Sequence, residues 1–107
     1  MSQLRGTYKN ANISATLTIT EANDANGELK GSIAYPDITL PVSGHYHFLN
    51  SGGPRTVIQF TAMNDDKRYE AWALVADDMN FTTLKSMGGR ASFDGSLSGV
   101  GGAFARA

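Results

Sequence analysis

GGRASFDGSLSGVGGAF, residues 88–104, holds six glycines in seventeen positions. Glycine loses more backbone freedom on folding than any other residue and brings no side chain to a core. The stretch is therefore either an unstructured tail or a pair of strands whose missing side chains leave room for something inside. Ala91, Phe93, Leu97, Val100, Ala103 and Phe104 favour strands, because a frayed tail would lack Phe93, Val100 and Phe104. Strands of a barrel bend sharply, and glycine is where they coil or bulge.

The residues upstream repeat one pattern, a short run of β-formers followed by a turn signal. The runs are Gly6–Asn10, Ala15–Ala22, Leu29–Tyr35, Ile38–Phe48, Thr56–Met63, Tyr69–Ala76, Phe81–Met87 (extending toward Ala91) and Gly95–Ala105. Asn26-Gly27, Pro36-Asp37, residues 51–54, residues 64–66, Asp77-Asp78 and Asp94-Gly95 punctuate them. No stretch keeps a helical period. Short strands at this spacing predict a sandwich or an up-and-down barrel, and eight strands on short loops favour pairing in sequence order. The expected fold is all-β, an eight-stranded antiparallel barrel, in one domain over residues 1–107.

Two strands carry finer expectations. ATLTITEA alternates, with Leu17 and Ile19 on one face and threonines on the other. A three-residue loop, Ala25-Asn26-Gly27, sets Ile33 opposite Ile19 and Tyr35 opposite Leu17, which keeps the apolar faces together. YEAWALVA, residues 69–76, is apolar on both faces beyond Glu70. A solvent-facing antiparallel strand alternates apolar with polar, so this one is expected to be covered outside by another copy of the chain.

Composition narrows the function classes. Hydrophobic residues make up 41% and charged residues 18%, which fits neither a disordered chain nor a membrane helix. The net charge is −1 with scattered cations, whereas nucleic-acid recognition needs a clustered basic face. Without cysteine there is no disulfide, thiolate metal site or cysteine nucleophile. MSQLRGTY lacks the apolar run of a signal peptide, and nothing is long and apolar enough to span a bilayer, so a soluble cytoplasmic protein is expected.

In order, GTYKN (6–10), NGELKGSI (26–33), VSGHY (42–46), IQFTAMN (58–64), LKSM (84–87) and VGGAF (100–104) resemble the strand motifs of the avidin and streptavidin family over nearly the whole chain. The resemblance implies a streptavidin-like barrel, a homodimer or homotetramer, that holds biotin or a similar small molecule at one end. Asn10 matches the family asparagine that donates to the ureido oxygen. The neighbouring serine falls on Ser14, although strand alternation puts Ala15 there instead. The ureido-contacting tyrosine falls on Ile33, the walling tryptophans on Asn64 and Gly88, and the acidic or amide partner of a ureido nitrogen on Gly102. The loop at 36–38 is too short for the family's lid, and the shortened loop at 64–68 places Arg68 near a small hydroxyl position. Tight biotin capture needs enclosure and preorganised polar groups, most of which these replacements remove. Asn64, Gly88 and Gly102 leave either an altered end cavity or space that Trp72, Tyr35 and Met63 fill.

The expected function is non-enzymatic binding of a small, biotin-like ligand, without cofactor or metal. The candidate lining is Asn10, Ser14, Ile33, Tyr35, Asn64, Arg68, Glu70, Trp72, Gly88 and Gly102. The rivals are a filled barrel serving only assembly, and a carbohydrate- or surface-binding protein using Tyr46, Tyr69 and the His45/His47 pair. That pair shares a strand face but has no third ligand nearby, and reads as solvated or interfacial. Trp72 reads first as packing and second as ligand stacking. Glu70 interrupts an apolar strand and reads as a carboxylate at the barrel lip, or one paired with Arg68 or Arg90, because burying it alone is costly. No nucleophile turn is present, and GVGG at 99–102 lacks the lysine and helix of a phosphate loop.

Overall fold

The structure, a computed structural model, describes residues 4–49, 55–64, 68–78, 80–92, 97–98 and 103–107, with 49, 64, 68, 69, 86–92, 97 and 98 described as backbone. Its strands are β1 (Gly6–Asn10), β2 (Ala15–Asn23), β3 (Glu28–Ala34), β4 (Thr39–Leu49), β5 (Arg55–Asn64), β6 (Arg68–Ala76), β7 (Thr83–Ser92), β8 (Leu97–Ser98) and β9 (Ala103–Arg106). From β1 to β7 each strand pairs antiparallel with the next. β8 and β9 both pair with β7, and β9 also pairs with β1 through Tyr8↔Arg106 and Lys9↔Ala105. Taking β8 and β9 as two pieces of the last strand, eight antiparallel strands close into a barrel. The described parts of the glycine-rich stretch are strand; Phe93 and Val100 lie outside the described residues.

Two irregularities show how the sequence bends the sheet. Between β6 and β7 the register jumps from Trp72↔Arg90 to Leu74↔Ser86, which leaves Met87, Gly88 and Gly89 facing Ala73 alone. The paired glycines thus sit at a bulge. The β2–β3 hairpin corrects the expected register. Asn23 pairs with Glu28 across a four-residue loop, and beyond a bulge at Thr20 Ile33 faces Leu17 and Gly31 faces Ile19. The loop alone would have swapped the faces; the bulge restores the parity that burial demands. Gly31 is required there, because a methyl group would overlap the Thr18 carbonyl.

The core is the barrel lumen, filled by side chains as eight strands allow. Alternate residues point inward: Tyr8 from β1, Leu17 and Ile19 from β2, Leu29 and Ile33 from β3, Leu40, Val42 and Tyr46 from β4, Ile58 and Phe60 from β5. Trp72, Leu74 and Ala76 of β6, Leu84 of β7 and Phe104 of β9 complete it. Burying each large aliphatic or aromatic side chain is worth about 1.5–3 kcal/mol. On the outer face of β6, Ala71, Ala73 and Val75 are half-buried in the single chain.

Strand direction gives the barrel two ends. One gathers Asn10, Ala15, Ala34, Asn64 and Arg68, and the other gathers Gly6, Asn23, Glu28, Ala76 and Arg106. Arg106 secures the second end. Its Nη1 donates to Tyr8 Oη at 2.9 Å and to the Asn80 carbonyl at 3.2 Å, and its Nη2 donates to the Arg5 carbonyl at 2.6 Å. The guanidinium also lies 5.3 Å from the Tyr8 ring centroid. Tyr8 Oη in turn donates to the Leu4 carbonyl at 2.5 Å. Burial pushes the Tyr8 phenol up to about 12, against the opposing pull of the Arg106 charge.

Candidate functional site

At the Asn10 end, the interior turns from apolar to polar. Asn10 ends β1 opposite Ala15 and is only 2% exposed. Its Oδ1 accepts the Asn12 backbone N–H at 2.9 Å, the short-range bond by which asparagine shapes a turn. Ser14 closes that turn at φ 52° and is exposed, while Ala15 takes the buried, inward position. Ser14 therefore lies in the turn outside the lumen, and the first inward residue of β2 is Ala15.

Tyr35 follows β3. Its N–H bonds the Ile38 carbonyl at 2.7 Å, which tightens the Pro36-Asp37 turn. Its hydroxyl donates to Glu70 Oε1 at 2.7 Å. β4 and β5 separate β3 from β6 in the sheet, so this bond crosses the barrel rather than running along its wall. Trp72 Nε1 donates to the same oxygen at 3.1 Å. The indole stacks on Phe60, with centroids 6.1 Å apart and planes at 20°, and meets Phe104 edge-on at 5.4 Å. Glu70 itself is 1% exposed. It is a buried acceptor rather than a solvated lip carboxylate. Among the described residues, two neutral donors offset part of the desolvation that burial imposes on it; the Arg68 and Arg90 side chains, its other expected partners, lie outside the described residues.

Of the predicted lining, the structure therefore joins Tyr35, Glu70 and Trp72 by direct bonds and sets Asn10 at the same end. Ile33 is fully buried below them, between Leu17 and Leu40. Asn64 and Arg68 pair as backbone at the end of β5 and the start of β6, and Gly88 lies in the β7 bulge. Gly102 lies outside the described residues. Met63 is 54% exposed, so it points out of the barrel and fills no end cavity. Trp72 packs inward against Phe60. Tyr46 is 2% exposed, which corrects its placement on a surface; His45 and His47 are exposed on the outer face of β4.

Three clefts are described, and none is lined by Asn10, Tyr35 or Glu70. One of about 630 Å³ lies along the β2–β3 hairpin beside Arg5, Glu21 and Lys30. A second of about 340 Å³ runs over the outer face of β4–β6 between His45, Gln59 and Ala71. A third of about 440 Å³ lies at the Asp24–Gly27 turn. Among the described residues, no group of three His, Cys, Asp or Glu side chains is placed to hold a metal, and no helix is long and apolar enough to cross a membrane.

No match is found. Neither a protein-family model, nor a curated protein, nor a solved structure matches this chain.

Sequence reasoning identified Glu70 and Trp72 as candidates but not the bond between them. It missed Phe60 and Phe104 as the packing that orients the indole. Residues i and i+2 of a strand share a face, so the alternation of Glu70 with Trp72 carried the signal.

Proposed function

We propose that the protein is a non-enzymatic small-molecule-binding barrel, avidin-like in plan, that receives its ligand at the Asn10 end. The Tyr35–Glu70–Trp72 cluster carries this reading. It is a carboxylate held inside a largely apolar lumen, at the end where the motif resemblance places a ligand. A carboxylate accepts hydrogen bonds and donates none, so the ligand is one that presents N–H groups, as cyclic ureas and related amides do. Among the described residues, the donors on Glu70 are a phenol and an indole, which hold its Oε1 as a fixed acceptor. Tight biotin capture is not expected, since Asn64 and Gly88 stand where the resembled family has tryptophan walls. Losing two such walls forfeits several kcal/mol of contact, on the scale of about 3–5 kcal/mol for each large aromatic removed.

Calorimetric titration with biotin, 2-imidazolidinone and hydantoin tests the proposal. The expected dissociation constants lie between about 1 μM and 1 mM. Glu70→Gln is expected to weaken binding by about tenfold or more, because an amide NH₂ replaces one of its acceptor oxygens. No binding by any of the three compounds at millimolar concentration, or unchanged binding in Glu70→Gln, would overturn it.

A second reading rests on the outer face of β5–β6. Half-buried Ala71, Ala73 and Val75 beside exposed Met63 leave a weakly polar surface of small residues suited to self-association into a dimer or tetramer. Light scattering is expected to give an oligomer that Met63→Lys dissociates. A wild-type monomer at high concentration would refute this reading.

A further inference from the structure

We propose a second, independent site: the cleft of about 440 Å³ at the Asp24–Gly27 turn, which binds a saccharide ring. It lies at the end of the barrel opposite Asn10, and its volume is within the roughly 300–1,000 Å³ of small-molecule clefts. The turn is fixed before any ligand arrives. Gly27 N–H bonds the Asn23 carbonyl at 2.7 Å, and the Gly27 carbonyl accepts Tyr46 N–H at 2.8 Å. Gly27 sits at φ 74°, where a Cβ would lie 2.6 Å from the Tyr46 carbonyl oxygen, so the turn seats directly on β4. The buried Tyr46 hydroxyl donates to Asp24 Oδ1 at 2.6 Å. That bond occupies one oxygen of Asp24 and leaves Oδ2 for a ligand.

Asn26 is oriented in the same way. Its Oδ1 accepts Glu28 N–H at 3.0 Å, which assigns the amide and leaves its NH₂ as a donor. Phe48 is 38% exposed, and its ring is held edge-on to Tyr46 at 5.6 Å. His47 completes the lining. The cleft thus offers a carboxylate acceptor and an amide donor on a preorganised turn, beside the apolar ring of Phe48 on β4. Hydroxyl groups both donate and accept, and the C–H face of a sugar packs on the electron-rich face of an aromatic ring. A polyol ring uses all of these groups; a simple cation would use only Asp24 and Phe48.

The test is a ¹⁵N chemical-shift titration of the full chain with the methyl glycosides of glucose, galactose, mannose and N-acetylglucosamine. At least one is expected to shift the Gly27, His47 and Phe48 amides together. Asp24→Asn keeps an oxygen for Tyr46 but replaces the free carboxylate oxygen, and is expected to weaken that binding about tenfold. Phe48→Ala is expected to weaken it by a similar factor or more, and the spectral dispersion of each variant verifies its fold. Three results would overturn the proposal: no shift with any of the four glycosides, shifts confined to the Trp72 indole at the other end, or unchanged affinity in both variants.

Discussion

Replacing Arg106 with Met removes the guanidinium but keeps an unbranched, apolar stem. Among the described contacts, the hydrogen bonds to Tyr8 Oη, the Asn80 carbonyl and the Arg5 carbonyl are lost, together with the contact on the Tyr8 ring. The bonds to Asn80 and Arg5 are exposed, so water replaces them in part. Tyr8 still donates to Leu4, and no buried donor is orphaned. At about 1 kcal/mol per net bond, the loss is about 2–3 kcal/mol. For a chain of this size that lowers Tm by about 10 °C. Scanning calorimetry and urea unfolding measure it, and the m-value is expected to be unchanged because the folded surface is the same. A cycle with Tyr8→Phe is expected to give a coupling of about 1 kcal/mol. A loss below about 0.5 kcal/mol, the usual effect of a surface substitution, would refute the reasoning. Arg106 would then not be the clasp that joins the two ends of the chain.

Three further outcomes follow from individual residues. Because Tyr8 has its pKa raised to about 12 from an ordinary value of 10.0, it stabilises the fold fully below pH 10 and loses that contribution as pH rises toward 12; tyrosinate absorbance is expected to show one of the tyrosines titrating last. Ser14→Gly relieves a positive φ on an exposed residue and is expected to raise stability by about 0.5 kcal/mol, read by urea unfolding, with ligand binding unaffected. Among the described residues, Thr56 carries the one fully buried side-chain oxygen without a hydrogen-bond partner, so Thr56→Val is expected to stabilise by about 1 kcal/mol, and a lower Tm would show that its hydroxyl is satisfied.

Much of the barrel was legible because the period-two alternation of Leu17 with Ile19, and of Trp72 with Leu74, marks a strand with a buried face. The strand limits read from turn signals fall within a residue or two of those observed from β1 to β6. The β2–β3 register was not legible. The four-residue loop seats Gly27 against Tyr46, a contact 19 positions away in the chain, and a bulge at Thr20 accompanies it; no local pattern marks either. The polar end was half legible. Glu70 stood out as a charge in an apolar strand, but its burial depends on Tyr35 reaching across the lumen, which no local pattern encodes. The role of Arg106 was hidden for the same reason: its partners Arg5, Tyr8 and Asn80 are brought to it only when the sheet closes.

Trp72 is the sole tryptophan, so its indole N–H gives a single, isolated resonance. That proton points at Glu70 Oε1, the acceptor on which the ligand reading depends. On titration with 2-imidazolidinone or hydantoin, the resonance is expected to move in step with heat release and to need about tenfold more compound in Glu70→Gln. An indole signal that stays fixed while the compound binds would place the ligand elsewhere and contradict the account.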